Sequence, residues 1–143
     1  MRFKRPDPAT TAGLCGIYVI GVDGEKIAKV GISANPRKRF VDLQEANWSP
    51  LVLHQYWWIT GRPRSPRKVA EDLESAVKAA AQPHNIRGEW FKVSCGWLAD
   101  LVVSKATELH IPLWEPERVA QAVAEIDSGR LTNSVRRGSL RVE

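Results

Sequence analysis

Apolar and polar positions alternate with different periods along the chain, and each change of period marks an element. Cys15-Gly-Ile-Tyr-Val-Ile-Gly-Val22 is rich in β-branched and aromatic residues and reads as a strand. Asp23-Gly24 follows, a dipeptide suited to a tight hairpin because glycine tolerates positive φ. Lys26 to Ile32 is then the antiparallel partner. Ser33 and Asn35 can cap a helix and Pro36 fits its first turn, which predicts a helix from Pro36 to about Asn47. Phe40, Leu43 and Ala46 or Asn47 recur at helical spacing and form its inward face. Ser49-Pro50 ends it.

Leu51 to Thr60 (LVLHQYWWIT) reads as a third strand, buried on at least one face. Gly61 to Lys68 is an extended basic loop stiffened by two prolines. A second helix begins at Pro66 or Val69 and runs to Ala81. Glu71, Asp72 and Glu74 come early in it, where acids complement the helix dipole. His84 to Gly88 is a loop and Glu89 to Val93 a short strand. Ser94 caps a third helix from about Gly96 to His110, and Glu117 to Ile126 forms a fourth. The fold class is therefore α+β: a small antiparallel sheet of three to four strands flanked by helices, with a helical C-terminal extension. The expected division is a flexible basic arm over 1–12, a folded domain over 13–110, the helical extension over 111–127 and a basic flexible tail over 128–143.

Composition adds modest constraints. The chain has 143 residues, 43% hydrophobic and 26% charged, which suits one globular domain with its own core. A net charge of +5 tilts the expected partners toward polyanions. The six tryptophans could serve as base-stacking platforms, but most stand in apolar runs and are read as core. Cys15 and Cys95 stand far apart with no Cys/His cluster, which argues against zinc and suits a reducing, cytoplasmic setting. No segment reaches the roughly 18 apolar residues of a membrane span, and the N-terminal stretch lacks the apolar core of a secretory signal. No membrane partner is expected.

The chemistry enters at Gly16-Ile17-Tyr18. Together with Lys29-Val30-Gly31 on the paired strand, this resembles the two halves of the GIY-YIG nuclease signature, with Lys29 where the family has its second tyrosine. The resemblance continues through Asn35-Pro-Arg-Lys-Arg39-Phe40 on the next helix, Leu73-Glu74 on a later one, and Ile86-Arg-Gly-Glu-Trp-Phe91. The last is similar to the Gly-Glu-Trp-Phe ending of a mostly phage and bacterial subgroup. The likeness covers roughly Gly16 to Val93. It implies a metal-dependent endonuclease that hydrolyses DNA phosphodiester bonds, with RNA left open as a substrate. It also implies Mg²⁺ or Mn²⁺ as cofactor, an arginine at position 39 and a metal-binding Glu74.

Each implied role has a physical basis. Phosphodiester hydrolysis needs a deprotonated water, neutralisation of charge and help for the leaving oxygen. The planar fork of Arg39 suits phosphate. Glu74 is a hard oxygen ligand suited to magnesium. Tyr18 is the expected general base. A tyrosine hydroxyl ordinarily titrates at about 10, so a nearby cation such as Lys29 is needed to favour phenolate. Whether Tyr18 and Lys29 share a face depends on the hairpin register.

Ordinary readings stand beside these. Tyr18 could be a core aromatic, Lys29 an exposed strand residue, Arg39 a partner of Asp42 and Glu74 a partner of Lys78. Glu71 is a second possible ligand, Glu89 a second acid or the start of a strand. His54 and His84 could assist proton transfer or lie idle at the surface. Asn85 receives no role. Arg37, Lys38, Arg62, Arg64, Arg67, Lys68, Arg136 and Arg137 form the expected contacts to the phosphate backbone. Two other functions stay open: a catalytically weakened module that only binds nucleic acid, and a protein–protein interaction domain built on tryptophan-rich surfaces.

Overall fold

The structure, a computed structural model, describes residues 13–61 and 63–127. Strand β1 (Cys15–Val22) is followed by β2 (Ala28–Ser33), helix α1 (Pro36–Glu45), β3 (Leu51–Ile59) and helix α2 (Pro66–Ala81). A 3₁₀ turn (Gln82–His84), β4 (Asn85–Arg87), β5 (Trp90–Phe91), α3 (Cys95–Glu108) and α4 (Pro116–Asp127) complete the order. The fold is α+β, as the sequence implies. Its antiparallel sheet has five strands rather than three or four, in the order β3-β1-β2-β5-β4. The additional strand, β4, lies where a loop is expected and is too short to show a period of two.

The hairpin is wider than Asp-Gly alone predicts. Val22 and Ile27 close it through a backbone hydrogen bond, and Gly24 is the turn residue with positive φ, at 77°. Strand β2 therefore starts at Ala28, not Lys26. Asn35 and Ser65 cap α1 and α2, each side-chain oxygen accepting from the backbone N–H three residues on. Ser94 caps α3 in the same way, accepting from Trp97.

Helices cover both faces of the sheet. Ile17, Val19, Ala28, Val30, Trp57 and Ile59 cluster with Ala70, Leu73 and Val77 of α2 and Leu98 and Val102 of α3. Such aliphatic side chains, fully buried here, each contribute about 1.5–3 kcal/mol. On the other face Tyr18, Ile20 and Leu51 meet Phe40 and Leu43 of α1. Ala46 and Asn47, expected on the inner face of α1, lie past its end and are exposed.

Trp58, Leu14, Val119 and Ala122 form a third cluster that attaches α4. Ahead of α4, Trp114 exchanges two backbone hydrogen bonds with Trp58, at 2.9 and 3.0 Å. The core reading holds for Trp57 and Trp58, whereas Trp48 is fully exposed and Trp97 is 41% exposed. Among the described residues no helix is long and apolar enough to cross a membrane.

Candidate active site

The hairpin register settles which side chains share the α1 face. Tyr18 lies opposite Gly31 and Ile20 opposite Lys29. Directly opposed residues of an antiparallel pair point the same way, and so do residues two apart on one strand. Gly16, Tyr18, Lys29 and Gly31 therefore line one face.

Both glycines make room for something specific. A Cβ on Gly31 would run into the hydroxyl and Cζ of Tyr18. A Cβ on Gly16 would run into Cγ of Pro36, the first residue of α1. Tyr18 thus reaches across β2, and the first turn of α1 is seated beside it. Tyr18 is 2% exposed and belongs to the cluster that includes Phe40, so its body is core.

Lys29 is 4% exposed, which removes the reading of it as an exposed strand residue. A buried ammonium needs a partner. Lys29 Nζ donates to Glu89 Oε2 at 2.9 Å and sits 5.8 Å from the centre of the Trp90 ring. Its charge is met by Glu89.

Glu89 is the residue whose place sequence reasoning left undecided. Its other oxygen, Oε1, accepts from Lys78 Nζ at 2.8 Å, and Lys78 lies 3.4 Å from Glu74 Oε2. Four charges, Glu74, Lys78, Glu89 and Lys29, thereby form one chain. Strand β5 covers β2 only at Ala28 and Lys29. Around that short cover the chain links α2, on one face of the sheet, to Lys29 on the other. The ammonium groups of Lys78 and Lys29 hold the Glu89 carboxyl down to about 2. Burial works against charged Lys78, but Glu89 and Glu74 outweigh it and raise its pKa.

Glu74 therefore does pair with Lys78, four residues on, but at 3.4 Å, with 19% of its side chain exposed. Glu71 is exposed one turn earlier. Among the described residues no three His, Cys, Asp or Glu side chains converge enough to hold a metal between them. A site at Glu74 has a single firm carboxylate. That donor set fits magnesium, which keeps several waters and is completed by substrate phosphate.

Arg39 is exposed on α1, and Asp42 pairs with Lys38 at 3.2 Å instead. Arg37 and Lys38 are exposed beside it. Helix α2 starts at Pro66, so its first turn holds Arg67 and Lys68 and no acid, contrary to the acidic start expected. Asp72 instead pairs with Arg64 and, at 3.7 Å, with Lys68. Cations at a helix N-terminus oppose the dipole by roughly 0.3–1 kcal/mol each. Both α1 and α2 carry that arrangement and rely on side-chain caps. Arg67 lies near Cys15, whose thiol is nevertheless pushed up to about 11 by burial. Arg62, Arg136 and Arg137 lie outside the described residues.

The remaining candidates have structural duties or none. Asn85 donates to the carbonyls of Gly88 and Trp90 and shapes the β4–β5 turn. His84 meets the Trp97 ring edge-on, with centroids 5.0 Å apart. His54 lines a separate cleft of about 300 Å³ with Tyr56, Glu115 and Glu117, between β3 and α4. The Lys29–Glu89 pair could not be read from local sequence, since its members are 60 positions apart. Compared with known proteins, the chain matches no family model, no curated protein and no solved structure.

Proposed function

We propose that the chain is a metal-dependent endonuclease acting on DNA, with Tyr18, Arg39 and Glu74 as its working groups. The observation that carries this reading is the pair of close approaches at Gly16 and Gly31. The motif glycines are required by what lies against them: one admits the helix bearing Arg39, the other admits Tyr18.

In this mechanism Tyr18 acts as phenolate, takes a proton from the attacking water to become the neutral phenol, and gives it up to solvent after the bond is cut. Arg39 binds the phosphate through two parallel N–H donors and offsets its growing charge. Glu74 would hold a magnesium ion, whose charge supplies polarisation of the phosphate and stabilisation of the leaving oxygen. Arg37, Lys38, Arg67 and Lys68, at the starts of α1 and α2, contact the flanking backbone, where helix N-termini also favour anions.

A second reading is favoured by one observation. Glu74 and Lys29 are both engaged in ion pairs, as they would be in a module that binds nucleic acid without cutting it. Incubating plasmid DNA with the full chain, with and without Mg²⁺ or Mn²⁺, beside Glu74→Ala, separates the two. Metal-dependent nicking lost in Glu74→Ala is expected. Retarded but intact plasmid at every metal concentration would establish the binding module.

A further inference from the structure

The four-charge chain is uneven. Lys78 stands 2.8 Å from Glu89 but 3.4 Å from Glu74, so its ammonium leans away from the residue one turn before it and toward one on another element. Glu89 can hold it there because Glu89 is itself fixed. Its second oxygen is bound at 2.9 Å by Lys29, which is rooted in β2 and 5% exposed in its side chain. Among the described residues Lys78 is the one ion-pair partner of Glu74.

We propose that Glu89 is a positioning residue for Glu74: anchored on buried Lys29, it draws Lys78 off the Glu74 carboxylate and leaves that carboxylate open to a divalent cation. Without Glu89, Lys78 has Glu74 as its sole acid and closes on it, as i,i+4 pairs ordinarily do. Lys78 then acts as a built-in competitor. This rests on Glu74 as the cation ligand of the proposed function, and it makes the Gly88-Glu89-Trp90 turn part of the site without direct contact to the reacting atoms.

The test is Mn²⁺ binding to the full chain mixed with a short, cleavage-resistant phosphorothioate duplex that supplies the completing phosphates, followed by the loss of the free-ion electron paramagnetic resonance signal relative to the duplex alone. Wild type should bind one ion that Glu74→Ala does not. Glu89→Gln should weaken that binding by about tenfold, the scale of one unit charge moved onto a partly exposed carboxylate. Lys78→Met added to Glu89→Gln should restore it, a recovery that a merely structural role for Glu89 would not produce. Because Glu89→Gln strands a buried ammonium, Lys29→Met with Glu89→Gln provides a second background, in which the same loss is expected.

Wild-type Mn²⁺ affinity in the Glu89→Gln proteins would overturn the proposal. So would failure of Lys78→Met to rescue, or the absence of any Glu74-dependent binding in wild type. Glu74-dependent binding that follows the expected pattern in a protein that never cuts DNA would sink the nuclease reading and leave this inference standing.

Discussion

Tyr18 and Gly31 share one volume: the tyrosine ring and hydroxyl fill the space into which a side chain at position 31 would extend. Gly31→Ala should therefore be destabilising, by about 1–3 kcal/mol as for other overpacked sites. The effect should vanish in a Tyr18→Ala background, where the obstacle is gone. Denaturant unfolding of the four proteins of this double-mutant cycle reads the coupling directly. An equal penalty in both backgrounds would mean that Tyr18 is not what Gly31 accommodates.

Tyr18→Phe separates chemistry from packing at the same position. The ring and its contacts with Ile20 and Phe40 persist, so the melting temperature should stay within a few degrees. Cleavage should fall by about 10²–10⁴, the usual contribution of a positioned base. Unchanged cleavage would leave Tyr18 as core alone and send the search for a base elsewhere.

The Glu89 carboxyl gives the protein a defined acid response. Its pKa is lowered from 4.5 to about 2 in the fold, so its contribution is complete above 4.5 and is lost as pH falls toward 2. Lys78 is raised from 10.5, so its contribution is complete below 10.5 and is lost as pH rises past that value. The stability difference between wild type and Glu89→Gln should thus be flat across neutral pH and should shrink below 4.5. Half of the Glu89 side chain is exposed, and solvent screening limits the neutral-pH difference to about 1–2 kcal/mol. Urea unfolding at pH 3 and pH 7 compares the two; an equal difference at both would mean that the ion pairs contribute nothing.

Charge removal at the helix starts should weaken DNA binding without lowering stability. Arg39 and Arg67 are exposed, so Arg39→Ala and Arg67→Ala should leave the melting temperature nearly unchanged. Each should reduce the slope of log affinity against log salt by about 0.9 on duplex DNA. A slope identical to wild type in either variant removes that arginine from the phosphate contacts.

The parts of this fold that were legible in the sequence are those specified locally. Asn35-Pro36 and Ser94 announce two helix starts, because a cap and its N–H donor lie three residues apart. Alternation in β1 correctly separates Ile17 and Val19 from Tyr18 and Ile20. The site was only half legible. The residue types at 18, 39 and 74 were visible, but the burial of Lys29 and its bond to Glu89 depend on β5 pairing with β2, a contact with no local signature. The sequence leaves the start of α2 between Pro66 and Val69, because Pro66 suits a first turn as well as an extended loop; the chain begins the helix at Pro66, so Arg67 and Lys68 take the first turn and the acids follow it.

The mutual bonds between Trp58 and Trp114 reach beyond the attachment of α4. Strand β3 is an outermost strand, and its unpaired amides and carbonyls are a template for any extended chain that drifts past. Residue 114 occupies that template at Trp58, and Glu115 extends the cover with its carboxylate 3.5 Å from the Gln55 amide. A second molecule that tried to continue the sheet would have to peel this segment away and displace a negative charge. The short connection between α3 and α4 is in this sense a guard on the outer strand, set against edge-to-edge pairing with another chain.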